Sequence, residues 1–349
     1  MRRQWLKVLG LERFSGLYLW AMFIVVFGVW TPSLFLTTGT LHTVASSQAA
    51  GAVLALAALL PLAAGSFDLS IGATANLSGI IATTLQTGHH WSVGPAIGAA
   101  LAVSAAVGAV NGFIIVRLHV SSFIATLGMG TVVGAVLVMV SGDEQPGNPT
   151  SAAWTHLTDR LVLGFPIIVV YMLVIAAVLW WALQHTPAGR YIYAVGGNAE
   201  AARLSGVATD RWTWLCFIGS GLVAGAGGVL YTSFSGPSLT FGTGLLLPAF
   251  AAAFLGSTQI HPGKYNVWGT VLAVYVLATG VQGLQYITGV QWLNDMFDGV
   301  ALIGAVAFAV WRQRSGGAHA QAAAPGEDAG ADGAETDLGS SPAAAGAET

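Results

Sequence analysis

Few residues in this chain could do chemistry, and each has a plain structural use beside a chemical one. Asp68 stands in the run Gly65-Ser66-Phe67-Asp68-Leu69-Ser70-Ile71-Gly72, just ahead of an apolar stretch. An ionisable group there could serve a polar solute crossing a membrane. It could equally cap the helix that follows, accepting the free N–H groups of the first turn. Asp295 and Asp298 lie three residues apart at the start of the last apolar run, where acids suit a helix dipole. The histidines (His42, His89, His90, His119, His156, His185, His261 and His319) are scattered near the ends of apolar runs or between them. No relay of acids and histidines of the kind that moves protons therefore runs through an apolar segment. Sodium coupling stays open, because broken helices bind sodium through carbonyls alone.

Other reactive constellations are missing from the sequence. The lone cysteine, Cys216, excludes an internal disulfide and a cysteine-based metal cluster, and reads as a small core hydrophobe. No G-x-x-x-x-G-K-[ST], G-x-S-x-G or H-E-x-x-H occurs, and no His or Cys recurs at ligand spacing. We therefore expect no catalytic residue, metal or cofactor. If ATP drives this chain, another subunit hydrolyses it.

The elements that carry these residues are set by composition. Of 349 residues, 55% are apolar and 8% charged, against roughly 25% charged in a soluble domain. The net charge of −3 misleads, because the last 35 residues hold six acids and no Lys or Arg. The rest carries 12 bases and 9 acids, with no basic block of the kind that binds nucleic acid. A helix crosses the hydrocarbon with roughly 20 residues. Apolar runs of that order are found at about 16–36, 43–64, 69–87, 93–116, 121–141, 161–183, 212–232, 244–260, 266–287 and 294–311. The third and eighth are short or interrupted and are read as broken or re-entrant. The expected fold is an all-α polytopic bundle of about ten transmembrane helices. Its parts are a cytoplasmic N-terminus (1–15), a permease domain (16–311) and a disordered, acidic, Ala/Gly-rich tail (312–349).

Charge sets the orientation. With both termini in the cytoplasm, 11 of the 12 bases fall on the cytoplasmic side, and only Arg160 falls outside. Thr186–Arg211 is then a cytoplasmic segment, the longest polar interruption and the only one with three arginines, Arg190, Arg203 and Arg211. Pro187-Ala188-Gly189 opens it and Gly196-Gly197-Asn198 forms a turn. Asn198 stands as N-cap of a short helix, Ala199–Leu204, which Ser205-Gly206 stops. A short helix on a rigid loop suits docking, while a loop made basic by topology alone is the plainer reading.

Four blocks in order resemble one family. Phe67–Gly72 is similar to the IDLSVG signature of the ribose/xylose-type permeases of bacterial ABC sugar importers. Ser121–Met129, following Asn111-Gly112, resembles their PPFIVTLGM stretch. Thr186–Val207 resembles their T-x-x-G-R…A-x-G-x-N-x-x-A-A-x-x-S-G-I block, and Gly256-Ser257-Thr258 through Gly269-Thr270 their late G-G-T…G-T block. The resemblance implies a multi-pass permease subunit in the bacterial inner membrane that moves a ribose- or xylose-like monosaccharide inward and is no enzyme. It implies four partners: an ABC ATPase subunit, a periplasmic or lipoprotein sugar-binding protein, a second permease (another copy of this chain or a related one), and the lipid bilayer. It makes the loop 184–211 the coupling element, with Arg190, Gly197, Asn198, Glu200, Ala201, Ala202, Arg203, Leu204, Ser205 and Gly206 toward the ATPase. The residues expected along the substrate path are Asp68, Ser70, Asn76, Asn111, Phe123 and Thr126.

Two stretches depart from the family pattern in regions where a path would run. An acidic stretch is replaced by Gly244–Ala252, with no acid and an added Pro248, and an Asn-Gly pair is replaced by Gln282-Gly283. Two other readings compete with the importer subunit. A self-sufficient ion-coupled transporter or channel would carry flux alone. An integral membrane enzyme would need a reactive constellation, and the sequence offers none.

Overall fold

The computed structural model describes residues 11–307 apart from Leu163, Gln291 and Asp295. The N-terminal ten residues, Asp295 and the acidic tail 312–349 lie outside the described residues. The described residues are helical almost throughout. In order the helices are α1 (Leu11–Trp30), α2 (Pro32–Phe35), α3 (Thr38–Ser47), α4 (Ala49–Ala63), α5 (Ile71–Thr87), α6 (Val93–Arg117), α7 (Ser122–Ser141) and α8 (Ala152–Asp159). A two-residue antiparallel pair follows, β1 (Leu161–Val162) and β2 (Phe165–Pro166). Then come α9 (Ile167–His185), α10 (Pro187–Gly197), α11 (Ala199–Leu204), α12 (Thr209–Ser235), α13 (Phe241–Ser257) and α14 (Val267–Thr288), with further helix at 296–307.

Among the described residues, six segments are long and apolar enough to cross a membrane: Thr38–Ala63, α6, α7, α9, α12 and α14. Helices α5 and α13 have 17 residues each, and α13 contains Pro248. Several apolar runs are not single helices. The run at 16–36 stops at Trp30, because Thr31 precedes a proline and takes a non-helical backbone. The run at 161–183 opens as the β1–β2 hairpin, turning at Gly164 with φ 85°, and becomes helical only at Ile167. The segment 184–211 is not a loop either. It consists of the end of α9, two further helices and the start of α12.

The core forms around α4, in which every residue except Gly51 is buried. A helix apolar on all sides belongs inside a bundle. It is surrounded by α12, α13, α14 and α9, while α12 also packs on α5 and α6. Small residues let these backbones meet. A methyl on Gly221 of α12 would overlap the Ser104 carbonyl of α6, and one on Gly228 would overlap the Ala75 carbonyl of α5. Lipid offers apolar side chains little reason to leave it, so close backbone packing drives association. The outside is apolar in turn: Phe113, Ile124, Leu127, Met139, Val174 and Val178 are exposed. The result is an all-α polytopic membrane protein.

Candidate functional site

Local chemistry builds the 186–206 element. Pro187 takes the first helical position of α10, where its missing N–H costs nothing. Gly189 lets the chain fold back sharply, since a methyl there would overlap the Leu183 carbonyl. Asn198 caps α11: its Oδ1 accepts from the Ala201 N–H at 3.0 Å. Gly206, at φ 83°, ends the turn in the left-handed region.

This element offers a polar tip on an anchored base. Arg190, Gly197, Asn198, Glu200, Ala201, Arg203, Leu204, Ser205 and Gly206 are exposed, and only Ala202 of the expected contact residues is buried. Leu204 is 80% exposed, an unusual place for a large apolar side chain. The Arg203 guanidinium donates to Glu200 Oε1 at 2.8 Å, a surface pair whose stabilising effect is small. The base of α10 is buried through Gly189, Ile192 and Val195. Tyr193 Oη donates to the Tyr265 carbonyl at 2.6 Å, in the turn between α13 and α14. Burial pushes the Tyr193 phenol up to about 12, so it remains a donor at any physiological pH. Asn266 knits that turn, donating to the Gly256, Gln259 and Lys264 carbonyls while its Oδ1 accepts the Gly269 N–H. At its other end α10 meets the α4–α5 connection. A methyl on Gly196 would overlap the Ala63 carbonyl.

The α4–α5 connection carries the second group of expected residues. Asp68 is 1% exposed. Its Oδ1 accepts from the Ser70 N–H at 3.1 Å and from Ser70 Oγ at 2.6 Å, and its Oδ2 accepts from Ser220 Oγ at 2.8 Å. Asn111 Nδ2 donates to Ser70 Oγ at 2.8 Å, and the Leu69 N–H donates to Thr126 Oγ1 at 3.0 Å. Ser70 and Ser220 of α12 thus hold the carboxylate directly, while α6 and α7 bond the two residues that follow it. Asp68 is not the helix cap anticipated from its position. Ser70 occupies the cap of α5, and the carboxylate ties the preceding turn to α12. Asn111 Oδ1 is buried without a hydrogen-bond partner among the described residues.

The other two expected path residues lie elsewhere. Asn76 fastens the α12–α13 connection, donating to the Leu239 carbonyl at 2.9 Å and accepting the Gly242 N–H at 2.7 Å. Phe123 is 51% exposed on α7. Helix α10 and its buried face were missed by reading 186–197 as irregular. The signal was present, since Gly189, Ile192 and Gly196 recur at helical spacing.

Comparison with known proteins is consistent along most of the chain. Residues 17–306 match the family model described as branched-chain amino acid transport system / permease component. The ribose import permease protein RbsC of Escherichia coli strain K12 is 30% identical over 313 residues, 87% of this chain and 95% of that one. The D-allose transport system permease protein AlsC of the same strain is 28% identical, covering 85% of this chain and 91% of its own. The autoinducer 2 import system permease protein LsrC of Enterobacter sp. strain 638 is 32% identical over 77% of this chain and 78% of its own. No solved structure matches.

Proposed function

This chain belongs to the branched-chain amino acid transport system / permease component family, and from that premise we propose that it is the membrane-spanning subunit of an ATP-binding-cassette importer for a monosaccharide of the ribose or xylose kind. It is a multi-pass protein of the bacterial inner membrane. The names of its relatives, permeases for ribose, D-allose and autoinducer 2, support a sugar-like solute. An ATPase subunit hydrolyses ATP beneath it, a periplasmic or lipoprotein binding protein delivers the solute from above, and a second permease copy completes the path.

The observation that carries this reading is the build of α10–α11. An exposed, capped helix with a bare leucine at its tip sits on a base packed against two inter-helix connections, Ala63–Gly65 and Tyr265. Closure of the ATPase pair pushes the tip. The rigid base passes the displacement to the α4–α5 connection, and the Asp68 cluster moves with it. In this scheme both termini are cytoplasmic, ten segments cross the bilayer, and 184–211 faces the ATPase.

Purification of the tagged chain from its host tests the assignment. An ATPase and a sugar-binding protein are expected to accompany it, and liposomes with the chain alone are expected to be silent. Solute flux driven by an ion gradient through the chain alone would overturn the assignment.

A further inference from the structure

A cavity of about 230 Å³ lies between α3–α4, α13, α14 and the last helical segment. It is far from α10. Gly51 borders it and Ala63 meets α10, twelve residues on along the α4 axis, or roughly 18 Å at 1.5 Å per residue. Its polar lining is four carboxamides, Gln48, Gln282, Gln285 and Asn294, and one carboxylate, Asp298. Asn294 Oδ1 is buried with no hydrogen-bond partner among the described residues. Gln48, Gln282 and Gln285 are half-buried.

Both departures from the family pattern meet here. Pro248 borders the cavity, and in the interior of α13 it supplies no N–H for the Gly244 carbonyl one turn back. Gln282 borders it from α14, while the neighbouring Gly283 faces the other way and takes the Phe27 ring of α1. Gly283 leaves room for α1 to approach, and the adjacent side chain borders the cavity.

We propose that this cavity is the solute-selecting site of the permease and that it takes one uncharged polyhydroxy ring, a monosaccharide. The inference rests on the importer reading above. Each carboxamide offers a donor pair and an acceptor, which match adjacent hydroxyls, and the carboxylate adds acceptor character to the same lining. Among the described residues no Lys, Arg or His lines the cavity, so a ligand carboxylate would find no cation there. That disfavours an amino acid, although the family description names one. The volume lies below the range of sites for drug-sized ligands and suits a single ring.

The test uses the full chain with Val281→Cys, and separately Ala278→Cys, both apolar lining positions that carry none of the proposed ligand groups, modified by a small water-soluble thiol reagent. Cys216 is 2% exposed and gives little background. D-ribose or D-allose at twice its Kd is expected to slow modification by about threefold, because occupancy scales the free fraction by 1 + [L]/Kd. L-valine should not slow it. Adding Gln48→Leu should raise the half-protecting sugar concentration about fivefold, as the loss of one neutral hydrogen bond implies. Failure of both sugars to protect either position, or equal protection by L-valine, would overturn the proposal. Protection is read on the permease without its ATPase, so it can fail while the subunit assignment stands, and the reverse also holds.

Discussion

Gly65 and Gly196 face each other across the junction of α10 with the α4–α5 connection: a methyl built on Gly65 would lie 3.3 Å from the Gly196 α-carbon. Three residues beyond Gly65 stands Asp68, and two beyond Gly196 stands the cap of α11. The exposed tip and the buried carboxylate are therefore joined through close backbone packing of Gly196 on Ala63–Gly65.

Closing that gap with a side chain should interfere with both ends. Gly196→Ala is expected to lower stability by about 1–3 kcal/mol, because backbone must move to admit the methyl. Gly197→Ala meets open space and should stay within about 0.5 kcal/mol. Thermal unfolding of the two purified variants measures the difference. Equal midpoints would show that the junction is not tight.

Leu204 should matter for partnership and not for folding. Leu204→Asp is expected to leave the unfolding temperature unchanged and to abolish co-purification of an ATPase. Retention of the ATPase by this variant would remove α11 from the docking surface.

The Asp68 cluster should be sensitive to loss of a donor. Ser220→Ala takes away the partner of Asp68 Oδ2 and leaves a buried carboxylate oxygen unmet, a cost of about 1–3 kcal/mol. Asp68→Asn keeps an acceptor for Ser70 and should cost less than Asp68→Ala. Stability ranked in the opposite order would mean that the geometry of the cluster does not hold the α4–α5 connection in place.

Orientation can be read from accessibility. With Glu200→Cys in intact cells, a membrane-impermeant thiol reagent is expected to react only after the membrane is opened. Reaction from outside would place α11 on the far face and end the coupling scheme.

Much of this was legible in the residues themselves. Low charge and ten apolar runs specify a polytopic helical bundle, because only helices or closed barrels satisfy their backbone in lipid. Asn198 and Gly206 bracket α11 because capping and left-handed turns depend on the local residue alone. The structure likewise assigns short helices to the runs at 69–87 and 244–260.

What tertiary structure decided is which distant residues meet. No local rule pairs Asp68 with Ser220, 152 positions away, or Tyr193 with Tyr265. Asp68 reads as a helix cap from its neighbours, yet its second oxygen is claimed by α12 once the bundle closes. Phe123 and Asn111 look alike as members of family blocks, but packing exposes one and buries the other. Gln282 and Pro248 share a cavity only because α13 and α14 lie side by side. Sequence determined the lipid solvent, most of the apolar helices and the cap of α11, since those follow from near neighbours and composition. The contacts between helices depend on how whole faces fit, and only the assembled bundle specifies that.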